Sequence, residues 1–95
     1  MTAWVYVMTN RKNGTLYIGV TSDLARRISD HRNGAGSEFV RQHGLHRLVY
    51  VEAHATMPLA ISREKRLKTW NRAWKVRLIH RDNPGWDDLF EFILS

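Results

Sequence analysis

The feature that most constrains the fold is a pair of short runs with β-type alternation, followed at once by a helical pattern. The first run covers residues 4–8 and the second covers residues 16–20, with Asn13-Gly14 in the polar loop between them. Alternation places aliphatic side chains on one face of each run, which favours an antiparallel hairpin buried on that face. The opposite face then carries two tyrosines, Tyr6 and Tyr17.

The loop sets which residues of the hairpin lie opposite each other. A four-residue loop, residues 10–13, would place Tyr6 directly opposite Tyr17, and this is the register we expect. If Asn13-Gly14 itself forms the tight turn, the register shifts by one or two residues. Both phenols are expected on one side of the hairpin in either case.

A helix is predicted directly after the hairpin, with Thr21 or Ser22 as N-cap and a carboxylate in its first turn. Its inward stripe reads Leu24, Arg27, Ile28 and His31. The sequence therefore predicts a guanidinium and an imidazole on the same face as two aliphatic side chains.

The rest of the chain predicts one further strand and several helices. The elements are a short helix at residues 37–43, a strand at residues 46–54 with Leu48, Tyr50 and Glu52 on one side, a helical region from Thr56-Met57-Pro58 to Asn83-Pro84-Gly85, and a short helix from Asp87. The long region is either continuous, with Glu64 and Asn71 on one inward stripe, or broken by Asn71 as the cap of a second helix.

Length and composition fit one domain over residues 1–95 in the α+β class: a three-stranded antiparallel sheet flanked by helices. The sequence has no cysteine, so we expect neither disulfides nor a thiolate metal site. No apolar stretch reaches membrane-spanning length and no secretion signal is visible, so we expect a cytoplasmic protein without a membrane partner.

Charge is unevenly distributed along the chain. Residues 1–81 hold all 15 Lys and Arg and five acids, a net of +10, whereas residues 82–95 hold four acids and no base, a net of −4. A basic body of this kind is typical of a protein with a polyanionic partner. Nucleic acid is the partner that we expect.

Three parts of the N-terminal region carry a family resemblance: Val5-Tyr6, Tyr17-Ile18-Gly19, and Arg27 eight residues after that glycine. Together they resemble the GIY-YIG nuclease superfamily, and most closely its small stand-alone bacterial branch, the YhbQ-like proteins. Trp4 stands where the first motif has its glycine. The resemblance implies a metal-dependent DNA endonuclease that acts in DNA repair or processing. It leaves open whether the enzyme selects particular DNA structures.

Glu64 is the single acid among eight bases between residues 63 and 81. It is the candidate ligand of one divalent cation, Mg²⁺ or Mn²⁺, because such ions prefer carboxylate oxygen and often take only one or two protein ligands. The competing interpretation is a helical ion pair with Lys68 at i+4. The resemblance favours the metal role, since the superfamily uses one glutamate on a later helix in this way.

The resemblance also implies roles for the remaining candidates. Tyr6 would be the general base and Tyr17 would orient the network, with cations nearby to lower the phenol pKa. Arg27 would hold the phosphate and His31 would support the base. An asparagine after the glutamate belongs to the pattern, and Asn83 is slightly favoured over Asn71.

DNA contacts are expected from exposed bases that meet phosphates without reading sequence. The candidates are Arg11, Lys12, Arg26, Arg32, Arg41, Lys65, Lys68 and Arg72. Two alternatives remain open: a basic nucleic-acid-binding module with weak or no catalysis, and a protein–protein adaptor. The sequence leaves the oligomeric state open, with a monomer as one option.

Overall fold

The structure, a computed structural model, describes residues 2–94 and contains three strands and five helices within that range. The elements are β1 (Ala3–Thr9), β2 (Leu16–Thr21), α1 (Leu24–Arg32), α2 (Glu38–His43), β3 (Arg47–His54), α3 (Met57–Thr69), α4 (Arg72–Asp82) and α5 (Phe90–Leu94). The strands form one antiparallel sheet in the order β2-β1-β3. This confirms the predicted α+β class and leaves β2 at an edge.

The hairpin adopts a register two residues away from the preferred one, so that preference was wrong. Tyr6 pairs with Gly19, and Tyr17 pairs with Met8. Thr9 pairs with Leu16, so the loop covers residues 10–15 instead of residues 10–13. Within this loop Gly14 N donates to Arg11 O at 2.9 Å and closes a tight turn over residues 11–14. Tyr6 and Tyr17 nevertheless lie on one side, with ring centroids 6.3 Å apart.

Helix α1 buries the face that its periodicity predicts, with Leu24, Ile28 and His31 inside. Its N-cap is Asp23 rather than Thr21 or Ser22, because the Asp23 carboxylate accepts the Arg26 N–H at 3.3 Å. A carboxylate at this position also meets the positive end of the helix dipole.

Each face of the sheet carries its own apolar cluster. The cluster under α1 consists of Tyr6, Met8, Leu24, Ile28, Val40, Leu45 and Leu48. The opposite cluster, under α3 and α4, consists of Ala3, Val5, Val7, Ile18, Val49, Tyr50, Ala60, Leu67, Leu78, Ile79 and Trp86. Helix α3 packs against both β1 and β2, which brings it to the edge strand.

Strand β3 contains a β-bulge, and the predicted strict alternation is therefore wrong. Val7 pairs with Tyr50 and Met8 pairs with Leu48, so Val49 is the extra residue between them. Leu48 consequently packs in the α1 cluster, whereas Tyr50 packs in the opposite one. An extra residue of this kind leaves ladder groups without a partner on the neighbouring strand.

Asn83 stabilises this bulge from the far end of α4. Its side-chain Nδ2 donates to Val49 O at 3.1 Å and to Asp87 O at 2.9 Å, while its Oδ1 accepts from Asp87 N at 3.0 Å. The amide thus holds together the bulge and the 83–87 loop, in which the buried Trp86 adopts a left-handed backbone conformation with φ of 56°.

The helical region is broken at Asn71, which settles the alternative left open by the sequence. Asn71 Oδ1 accepts the Trp74 N–H at 2.9 Å and caps α4. The break ends the single inward stripe, so that Trp74 is 50% exposed and stands edge-on to Trp70. The last helix begins at Phe90 instead of Asp87, because Asp88 Oδ1 accepts the backbone N–H of Phe90.

None of the helices within residues 2–94 combines the length and the apolar character needed to cross a bilayer.

We predict that Asn83→Ala lowers the free energy of unfolding by about 2 kcal/mol. The substitution leaves the buried Val49 carbonyl without its hydrogen bond and removes the two hydrogen bonds to Asp87. Urea unfolding followed by circular dichroism measures this loss. Asn71→Ser retains a capping side chain and is the matched control, with a change below about 0.5 kcal/mol. Equal stability of Asn83→Ala and the wild type would contradict a structural role for Asn83.

Candidate active site

The centre of the site is a buried phenol on β1. Tyr6 is 1% exposed, and its hydroxyl lies 2.8 Å from His31 Nε2. Its ring lies across Gly19 of β2, where an added Cβ would come within 2.4 Å of the phenol oxygen. The glycine of the second motif is therefore needed for space, since any side chain there would displace the phenol.

His31 is held between the phenol and the loop that follows α1. The residue is 4% exposed, and a Cβ on Gly36 would lie 2.2 Å from its Nδ1. This Nδ1 is buried and has no hydrogen-bond partner among residues 2–94. Burial, and secondarily the charge of Arg27, lower the pKa of His31 below its ordinary 6.5. The imidazole is thus neutral at pH 7 and can accept a proton.

Arg27 joins both tyrosines from α1. Its guanidinium lies close enough to both phenols for their interaction to raise the pKa of Arg27, and the interaction with Tyr6 is the main cause. The Tyr17 ring lies 5.5 Å from the His31 ring, edge-on to it. Two strands and one helix therefore bring four of the predicted side chains together: Tyr6, Tyr17, Arg27 and His31.

The phenol itself is more weakly acidic than the sequence suggested. Burial raises the pKa of Tyr6 to about 12, and the opposing interaction with Arg27 does not reverse this. Arg27 lowers the Tyr6 pKa as expected, but desolvation of the buried phenol outweighs this effect. A phenolate is a rare species at neutral pH, and proton transfer through Tyr6 needs an acceptor such as His31.

Glu64 approaches from α3, on the other side of the edge strand. Its side chain is 15% exposed, and its negative charge contributes to the raised pKa of Tyr6, so the carboxylate is close enough to influence the phenol. Its carboxylate also forms an ion pair with Lys68 Nζ at 3.5 Å. The ion pair with Lys68 is therefore present, and the metal role of Glu64 stays a prediction.

The donor set suits a hydrated hard cation better than a closed metal cage. Within residues 2–94 no three His, Cys, Asp or Glu side chains cluster to hold an ion. One shielded carboxylate is nevertheless sufficient for Mg²⁺, which keeps several waters and takes substrate phosphate oxygens as further ligands. Glu64 is the residue that would hold it.

Neither candidate asparagine joins this group of side chains. The Asn83 amide makes its hydrogen bonds with the β3 bulge and the 83–87 loop, and Asn71 caps α4. A structural role explains each of them, and the predicted place of an asparagine in the site has no geometric support.

Four of the eight predicted DNA-binding bases already have partners within the protein. Arg32 binds Asp88 and His46 O, Arg41 binds Glu38, Lys68 binds Glu64, and Arg72 binds the carbonyls of Asn13 and Gly14. The other four are exposed: Arg11, Lys12, Arg26 and Lys65. The exposed bases fit the predicted phosphate contacts, whereas Arg32 and Arg72 hold loops in place.

Sequence reasoning missed two neighbours of this site. Gly36, in the loop after α1, has no side chain and so leaves room for the His31 ring. Phe39 on α2 stacks on Tyr17 with ring centroids 6.2 Å apart, and it is 42% exposed. An aromatic residue on a short polar helix was the one available signal for Phe39.

The comparisons with known proteins agree with this geometry. The family model for the GIY-YIG catalytic domain matches residues 2–77. The chain therefore belongs to the GIY-YIG family of nuclease-type catalytic domains. Within that family its relatives are small bacterial proteins named UPF0213.

Two sequence relatives and one further protein with a solved structure illustrate the similarity. A UPF0213 protein of Pseudomonas aeruginosa is 36% identical over 76 residues, covering 80% of this chain and 73% of the relative. One of Staphylococcus saprophyticus is also 36% identical over 76 residues, covering 80% and 92%. The solution NMR structure of a UPF0213 protein from Bacillus halodurans has a TM-score of 0.58 and 31% identity, and the match covers 93% of each chain.

We predict that His31 titrates below 6.5 in the folded protein, and that its titration makes stability depend on pH. The unfolded chain takes up a proton near 6.5 while the folded protein resists it, so the unfolding free energy should decrease as the pH falls through that value. Stabilisation from this residue is present above 6.5 and is lost towards the folded pKa. NMR titration of the ring, together with denaturant unfolding at several pH values, measures both effects.

His46→Gln is the matched control for His31→Gln, because the His46 ring is exposed and bonds only a local carbonyl. The pH dependence between 7 and 5 should become flatter in His31→Gln and stay unchanged in the control. A His31 pKa at or above 6.5 would contradict the buried neutral imidazole.

Proposed function

We propose that the protein hydrolyses phosphodiester bonds of DNA at this cluster of side chains and uses one divalent cation, Mg²⁺ or Mn²⁺. The observation that supports the proposal most strongly is the 2.8 Å contact between the Tyr6 hydroxyl and His31 Nε2, in reach of the Arg27 guanidinium. A purely structural tyrosine needs neither a neutral histidine nor a guanidinium beside it.

In the proposed reaction a water molecule attacks the phosphorus atom, and a bond forms between its oxygen and phosphorus. The water gives a proton to the Tyr6 hydroxyl as Tyr6 passes its own proton to His31 Nε2. Because the Tyr6 pKa is about 12, this concerted transfer avoids a free phenolate. The bond between phosphorus and the leaving deoxyribose oxygen breaks, and solvent protonates that oxygen.

Charge builds up on the phosphate oxygens during this attack, and Arg27 is placed to offset it. Its two-pronged guanidinium, with a raised pKa, stays protonated and can donate to two oxygens at once. Tyr17, which also interacts with the guanidinium, would help to orient it. The cation on Glu64 would supply Lewis-acid stabilisation of the same charge.

A DNA-binding module without catalysis is the second candidate, and one contact favours it. Lys68 Nζ lies 3.5 Å from the Glu64 carboxylate, where it satisfies the charge that a metal ion would otherwise balance. Strong binding that decreases steeply with salt, without any cut product, is the expected behaviour of such a module.

We predict that the protein cuts nicked, flapped or branched DNA in the presence of Mg²⁺ or Mn²⁺, and that Glu64→Gln reduces the cleavage rate about 100-fold or more. The substitution removes the carboxylate charge but keeps the size of the side chain. Labelled DNA resolved on denaturing gels, with and without chelator, gives the rate.

Glu38→Gln is the matched control, because Glu38 is an exposed surface glutamate on α2 that pairs with Arg41. It should cleave at the wild-type rate. Full activity of Glu64→Gln, or full activity in excess chelator, would overturn the metal assignment. Tight DNA binding without cleavage at any metal concentration would favour the module instead.

A further inference from the structure

A groove of about 310 Å³ runs beside the candidate active site along the edge strand β2. Its walls come from three separate parts of the fold: Leu16, Tyr17 and Ile18 of β2, Phe39 of α2, and Lys68 and Lys75 of α3 and α4. The lining thus combines two aromatic rings with two ammonium groups, and it contains no acidic side chain.

Two of the lining residues connect this groove to the active site. Tyr17 belongs to both, because its ring lies 6.3 Å from that of Tyr6 and 5.5 Å from that of His31. Lys68 forms the ion pair with Glu64 at 3.5 Å. Any chain that occupies the groove therefore lies next to the bond that the site would cleave.

The chemistry of the lining fits one nucleotide. Phe39 presents a half-exposed ring, already stacked on Tyr17 with an angle of 28° between the ring planes, and so continues an aromatic surface outward from the site. Aromatic surfaces of this kind stack on nucleobases of any sequence. Lys75 has no ion-pair partner among residues 2–94, and its charge is available to a phosphate.

We propose that this groove holds the nucleotide adjacent to the cleaved bond, with its base against Phe39 and its phosphate at Lys75 and Lys68. The inference rests on the proposed function and adds Phe39 and Lys75 as positioning residues for the substrate strand. Neither residue touches the reacting atoms. Their substitution should weaken substrate binding and raise KM more than it lowers kcat.

The test is DNA binding by fluorescence anisotropy in EDTA, with a fluorescein-labelled branched DNA that carries a single-stranded arm. Phe39→Ala should weaken binding about 10-fold. Phe39→Trp should bind like the wild type, and Phe39→Leu should resemble Phe39→Ala, because leucine packs without a π face. Circular dichroism establishes that each variant is folded.

Lys75→Ala should reduce the slope of log K against log salt by about 0.7, the value for one lost phosphate contact on a single strand. Arg77→Ala and Trp74→Ala are the matched controls. Both residues are exposed on α4 and line a different groove with Trp70, Leu78 and Arg81. Their binding and salt slope should stay at wild-type values.

The outcomes separate this proposal from the proposed function. If the wild type cleaves DNA while Phe39→Ala and Lys75→Ala bind like the controls, the groove assignment is overturned and the nuclease stands. If the two variants lose binding as expected while the wild type never cleaves, the nuclease is overturned and the groove stands. Absence of DNA binding by the wild type would overturn both.

Discussion

The hydrogen bond between Tyr6 and His31 is the contact on which the rest of the site depends. It joins the central strand to the first helix, and it exists only because two glycines leave room for the rings: Gly19 beneath the phenol and Gly36 beside the imidazole. Burial of this pair also determines its chemistry, since it keeps the phenol protonated and the imidazole neutral. The same packing that stabilises the fold therefore prepares a proton donor and its acceptor.

The edge position of β2 explains how side chains from both layers reach one place. Arg27 and His31 come from the helix on one face of the sheet, whereas Glu64 comes from a helix that packs on the other face. In the middle of a sheet the backbone would separate them. Helix α3 packs against the edge strand, and this strand also forms one wall of the groove that contains Phe39 and Lys75.

Much of this arrangement could be predicted from local patterns. Alternation placed Tyr6 and Tyr17 on one side of a hairpin, and helical phase placed Arg27 and His31 on one face. The hairpin register could not be predicted, because it depends on hydrogen bonds of the loop, nor could the bulge at Val49, which is stabilised by a distant asparagine. The raised pKa of Tyr6 could not be predicted either, because the sequence shows which charges are near but not how deeply the phenol is buried.

The most direct test of a coupled proton transfer is a double-mutant cycle on the rate of single-turnover DNA cleavage, with Tyr6→Phe, His31→Gln and the double variant. If Tyr6 and His31 act as one unit, the double variant should be no slower than the slower single variant, because the first substitution already breaks the transfer path. If the two losses multiply, the residues act independently and the account is contradicted.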